Sequence, residues 1–126
     1  MPSGPNTEAN LTVEFFVDDI EASRKFYADV LGFEVTAEEA NGYTGLQFGW
    51  ARLALKPRRK PPMPNAGRPG HGVSLILEVT DVAAAYARFQ EAGGTPLAPL
   101  KKQPWGTTDF LVVDPDGYRL RFTSVA

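Results

Sequence analysis

The chain has 126 residues, 43% of them apolar, which is enough for one hydrophobic core and suits a single domain. With 13 Lys and Arg against 15 Asp and Glu the formal charge is -2, so there is no global basic field to hold phosphates and nucleic acid is disfavoured as a partner. The lack of cysteine removes disulfides, thiolate nucleophiles and Cys-containing zinc or iron-sulfur sites, and it is compatible with a reducing cytosol.

Residues 1 to 10 carry Pro, Gly and acid without an apolar run, which reads as a flexible N-terminus and disfavours secretion. No later segment approaches roughly 18 consecutive apolar residues, so a membrane partner is disfavoured and a cytoplasmic protein is expected. From Leu11 to Val17 apolar and aromatic residues dominate, which predicts a strand, and Asp18-Asp19 ends it with Asp19 as the N-cap of a helix. Tyr27, Val30 and Leu31 then recur at helical spacing until Gly32 stops the helix. Strands are predicted at Phe33 to Ala37, Thr44 to Phe48 and Ala51 to Lys56, separated by turn signals at Asn41-Gly42 and Gly49.

The same grammar returns with a strand from Val73 to Val79, Asp81 as N-cap, a helix through Tyr86 and Phe89, and Gly93-Gly94 as its stop. Val17 matches Val79, Asp19 matches Asp81, Ile20 matches Val82, Ala22 matches Ala84, Tyr27 matches Phe89 and Gly32 matches Gly94, each pair 62 positions apart. Six matches in one register point to an internal duplication. Module one is therefore read as residues 11 to 56 and module two as 73 to 126, within one domain. Between them, residues 57 to 72 form a Pro-rich basic linker, either a solvated crossover or a basic lid over a ligand site. His71, the one histidine, reads as solvent exposed, with a proton-shuttle role as the alternative. Asp114-Pro115-Asp116-Gly117 is a hairpin turn between strands at Phe110 to Val113 and Tyr118 to Thr123.

Three segments in combination, VDDIEASRKFYADVLGFEV, VTDVAAAYARFQEAGG and QPWGTTDFLVVDPDGYRLRF, carry a family resemblance. From Leu11 to Thr123 the chain resembles the vicinal-oxygen-chelate superfamily of glyoxalases, bleomycin-resistance proteins and extradiol dioxygenases. Gln103-Pro104-Trp105-Gly106 followed by Asp114-Pro115 is most similar to the antibiotic-binding resistance proteins. The resemblance implies an α+β fold of two tandem βαβββ modules whose curved mixed sheets enclose a cavity, commonly in a homodimer. It also places the ligand positions of metal-dependent relatives on Thr12, Ala54, Ser74 and Arg121 here. Ala54 offers no donor, Arg121 brings a positive charge and hydroxyls bind metal weakly, so no metal and no other cofactor is expected.

Once those positions fix the inward direction, strand alternation supplies the lining. Thr12, Glu14, Phe16, Trp50, Arg52, Ser74, Ile76, Glu78, Arg119 and Arg121 point into the cavity, with Trp105 in its turn as a further wall. The opposite faces are apolar and meet the helices. Charged side chains on an inward face need either one another or a wet cleft. The leading expectation is a metal-independent binding protein that sequesters a small aromatic natural product or antibiotic, conferring resistance or self-protection. Acids mixed with three arginines suit a neutral or anionic planar ligand better than a cationic one. Two alternatives stand beside it: a metal-free lyase or isomerase with Glu14 or Glu78 as general base and Arg121 stabilising an enolate-like oxygen, and an interaction module whose cleft takes a partner segment.

Overall fold

A computed structural model describes residues 9–58, 70 and 72–125 of the chain. Its first strand, β1 (Thr12–Val17), leaves Glu14 and Phe16 exposed while Phe15 and Val17 are buried, the alternation that a half-covered sheet imposes. Asp19 caps α1 (Ile20–Lys25) by accepting the Ala22 N–H at 3.1 Å. The helix does not run uniformly to Gly32, as its apolar spacing predicts. Phe26–Val30 is a π-helical turn, with the Leu31 N–H donating to the Phe26 carbonyl at 3.0 Å. Tyr27, inside that wide turn, is wholly buried with its hydroxyl turned to the second half of the chain.

Strands β2 (Glu34–Glu38), β3 (Thr44–Phe48) and β4 (Ala51–Pro57) complete the first sheet in the order β1-β4-β3-β2. After β5 (Ser74–Glu78) and α2 (Val82–Glu91) come β6 (Ala98–Lys102), β7 (Thr107–Val113) and β8 (Arg119–Val125), in the order β5-β8-β7-β6. In each sheet the first strand runs parallel to the last and the other pairs are antiparallel. The repeated sequence pattern is thus a repeated topology, an α+β fold of two βαβββ units whose mixed sheets curve without closing.

Two strands differ from the sequence expectation. β6 has no counterpart in it, because Pro99, Lys101 and Lys102 argue against a strand; β6 is a sheet edge, where a missing N–H is tolerated and lysines deter further pairing. β7 begins at Thr107 rather than Phe110, since Thr107, Thr108 and Asp109 read locally as turn residues. Most of the Pro-rich linker and His71 lie outside the described residues.

The helix-side faces of both sheets merge in one core. Tyr27, Phe33 and Phe48 from the first module continue into Phe122 and Phe110 of the second, and Phe48 and Phe122 meet edge-on at 5.9 Å between ring centroids. The fully buried rings among them, Tyr27, Phe33, Phe110 and Phe122, each contribute roughly 1.5–3 kcal/mol by removal from water. Polar groups then fix how the modules meet. The Tyr27 hydroxyl donates to Asp114 Oδ2 at 2.7 Å, while Asp114 Oδ1 accepts the N–H groups of Asp116 and Tyr118. Asp116 takes the Asp18 N–H, the Ser23 hydroxyl and Arg58 Nη2. The ring of Tyr118 stacks on Phe15 at 3.9 Å, and its hydroxyl accepts from the Phe16 N–H and donates to the Phe16 carbonyl. The terminal hairpin is therefore a clasp onto β1 and α1 as well as a turn.

Burial holds the Asp114 carboxyl above the usual carboxylate range and the Tyr27 hydroxyl well above the usual phenol range. A raised folded value means that Asp114's contribution is fully present below the unfolded carboxylate pKa and is lost as pH rises through the folded one. Urea midpoints of the wild type should therefore fall relative to Asp114→Asn as pH climbs from about 4 to 7, the reverse of the trend for a salt-bridged carboxylate. Tyr27→Phe should cost about 1.5–3 kcal/mol, because it strips a buried charged acceptor of its donor.

Candidate functional site

The strand register sets the expected site residues side by side. On the first sheet Thr12 lies beside Arg52, Glu14 beside Ala54 and Phe16 beside Lys56. On the second, Ser74 lies beside Arg119, Ile76 beside Arg121 and Glu78 beside Thr123. These rows occupy the faces turned away from the shared core. Phe16 is 45% exposed where its neighbour Phe15 is 2%, and Ile76 is 64% exposed where Leu77 is 7%. Trp50, in the β3–β4 turn, and Trp105, in the β6–β7 turn, are 92% and 70% exposed, so neither ring is core packing.

The structure brings some of these residues together and separates others. Trp50, Arg52, Ser74 and Ile76 share an apolar groove of about 420 Å³ with Leu11 and Val13. Ser74 and Arg119 border a second cleft of about 840 Å³, beside the Arg58–Asp116 pair. Thr12, Glu14, Phe16, Glu78, Trp105 and Arg121 lie outside both. Glu14 instead forms an exposed pair with Lys56 Nζ at 3.9 Å, and that ammonium sits 5.8 Å from the Phe16 ring centroid. Such a surface pair contributes little to stability, and Glu14 lacks the apolar enclosure that suits a general base.

Sequence reasoning missed the most constrained group on these faces. Asp109 of β7 is 3% exposed and accepts from three side chains: Gln103 Nε2 at 2.9 Å, Arg121 Nη1 at 3.2 Å and Thr107 Oγ1 at 3.3 Å. β7 runs antiparallel to β8 with Asp109 opposite Thr123 and Leu111 opposite Arg121, so Asp109 shares a face with Arg121. Extending the apolar alternation of Phe110 and Val112 back by three residues would have placed Asp109 and Thr107 on the polar face.

The four positions that the family resemblance matches to metal ligands do not fit a divalent cation. Ala54 is wholly buried without a donor atom, and the guanidinium of Arg121 repels a cation and is already bound to Asp109. Thr12 and Ser74 add only hydroxyls. Among the described residues no three His, Cys, Asp or Glu side chains are grouped to hold a metal. Also among the described residues, no helix is long and apolar enough to cross a membrane.

The model of the Glyoxalase/Bleomycin resistance protein/Dioxygenase superfamily matches residues 11–122. TioX from Micromonospora sp. ML1 is similar in structure, with 26% identity, a TM-score of 0.76, and coverage of 94% of this chain and 100% of that one. A glyoxalase/bleomycin resistance protein from Catenulispora acidiphila has 23% identity and a TM-score of 0.74 over 94% of this chain and 100% of that one. A superfamily member from Sphaerobacter thermophilus has 23% identity and a TM-score of 0.73 over 94% and 98%. No curated protein matches the chain. Elemental analysis of protein purified without chelator should find no stoichiometric zinc, nickel, manganese or iron, and added Zn(II) should leave its thermal midpoint in place; a bound, stabilising metal would overturn the donor-set argument.

Proposed function

The chain belongs to the Glyoxalase/Bleomycin resistance protein/Dioxygenase superfamily, and from that membership we propose that it is a metal-independent binding protein for a small aromatic natural product or antibiotic. It lowers the free concentration of that compound in the cytoplasm and returns it unchanged, a role in resistance or self-protection. One observation carries the reading. Where a metal would need donors the chain has Thr12, Ala54, Ser74 and Arg121, yet the strand faces around them keep the exposed aromatic and charged side chains of a ligand surface.

The ligand surface comprises Thr12, Glu14, Phe16, Trp50, Arg52, Ser74, Ile76, Glu78, Trp105, Arg119 and Arg121. Stacking on an aromatic wall contributes roughly 0.5–1.5 kcal/mol per ring pair beyond area burial. Two or three such contacts plus the buried ring area reach the ~8 kcal/mol of micromolar binding. A second copy of the chain completes the site: Leu11, Phe16, Trp50 and Ile76 are all exposed, and a surface of that kind favours a homodimer in which one chain covers the open sheet of the other.

Both tryptophans are exposed, so intrinsic fluorescence reports on either wall. Titration with planar aromatic antibiotics should quench that emission saturably while mass spectrometry recovers the compound unaltered. Trp105→Ala or Trp50→Ala should weaken binding of a quenching compound by roughly threefold to tenfold, the equivalent of one stacked ring. A changed mass would replace sequestration with catalysis.

A further inference from the structure

The Asp109 cluster is expensive for what it adds to stability. A carboxylate 3% exposed must give up its water, and a buried ion pair is commonly no more stabilising than apolar side chains of the same volume. What the cluster supplies is geometry. Gln103 opens the turn that carries Trp105, closed by the Gly106 N–H to the Gln103 carbonyl at 3.1 Å and the Gln103 N–H to the Thr107 carbonyl at 2.7 Å. Its side-chain amide and the Thr107 hydroxyl bind the same carboxylate that holds Arg121. One buried anion thus fixes both the base of the Trp105 turn and the direction of the guanidinium.

Among the described residues Arg121 spends a single N–H, from Nη1, on Asp109, and 35% of its side chain is exposed. A guanidinium has five donors in a planar fork, so an unspent edge matches a planar pair of oxygens. The register places Arg121 between Ile76 on β5, which is 64% exposed, and Leu111 on β7. A fixed cation flanked by two apolar side chains recognises a carboxylate carried on an apolar ring.

We infer that Arg121 is the anion anchor of the binding surface, that Asp109 is the residue that positions it, and that the ligand class is a planar aromatic carboxylate. This rests on the ligand-binding reading above and narrows it. The neutral isostere separates the two. Isothermal titration of the full chain with 2-naphthoate and 2-naphthamide should find the carboxylate tighter by roughly tenfold or more, the range of a charge-assisted bidentate contact. Arg121→Gln should abolish that ratio. Arg121→Lys, which keeps the charge and loses the fork, should reduce it. Asp109→Asn should reduce the ratio, because 2-naphthoate loses more affinity than 2-naphthamide, whereas a general loosening would weaken both probes alike. If Asp109→Asn does not fold, Thr107→Val and Gln103→Leu, which remove the other two supports of the carboxylate, carry the same expectation. Equal affinity for the two probes in the wild type overturns the anchor and leaves the binding surface standing. Failure of both probes to bind overturns the two together, and a ratio unchanged in the Asp109 and support variants removes the positioning role.

Discussion

The structure depends on the hydrogen bond from Tyr27 to Asp114. Among the described residues the two modules share no strand pairing, so the apolar contact between them has no intrinsic register. Directional groups must supply it. Asp114 is held on one oxygen by two N–H groups of its own turn and on the other by a hydroxyl from the first module, which makes the hairpin and the module interface one object. Asp116 adds Arg58, Ser23 and the Asp18 backbone, and Tyr118 satisfies both polar groups of Phe16 on the open edge of β1. An edge strand left bare would be a template for unwanted pairing, and the tyrosine covers it.

That clasp also positions the proposed ligand surface. β8 starts at Arg119, two residues past the hairpin, and pairs with both β5 and β7, so its register carries Arg119 and Arg121 to their places. A slip of one residue would turn Arg121 into the core and Leu120 out to the exposed face. The cost of burying an arginine beside Phe110 and Phe122 far exceeds any gain in strand pairing, so hydrophobic alternation and the Asp114 turn reinforce each other. Asp109 then works on a strand whose position is already settled.

Much of the architecture was legible in the sequence because its signals are local. The caps Asp19 and Asp81, the stops Gly32 and Gly93-Gly94 and the period-two strands all act within a few residues, and both caps accept the N–H three positions on. The metal-ligand positions came from the family resemblance, and side-chain chemistry then supplied their poor fit to a cation, since alanine has no donor wherever it points. What escaped was non-local or hidden by composition. β6 contains Pro99 and two lysines, and only its place at a sheet edge makes them acceptable. The π-helical turn at Phe26–Val30 is accompanied by a tertiary partner for Tyr27 that no helical pattern reveals. Asp109 was lost with the start of β7, and with it the reason why Arg121 can stand on a sheet face in one orientation.

A guanidinium at the position that the family resemblance matches to a metal ligand changes what the proposed surface can do chemically. A divalent metal is a Lewis acid that draws electron density from bound oxygens, so its hold tightens as negative charge develops on them in a transition state. In the proposed complex the delocalised charge of Arg121 meets a carboxylate that is already fully ionised, and it gains little more when the ligand's electrons move. Catalysis requires an interaction stronger in the transition state than in the ground state; one that is equally strong in both lowers the dissociation constant and leaves the rate untouched. Fixing the arginine through a buried aspartate reinforces this bias, because preorganisation for a planar, stable anion is spent on the bound state. On the proposed reading, this residue set is arranged to hold a ligand rather than to activate one.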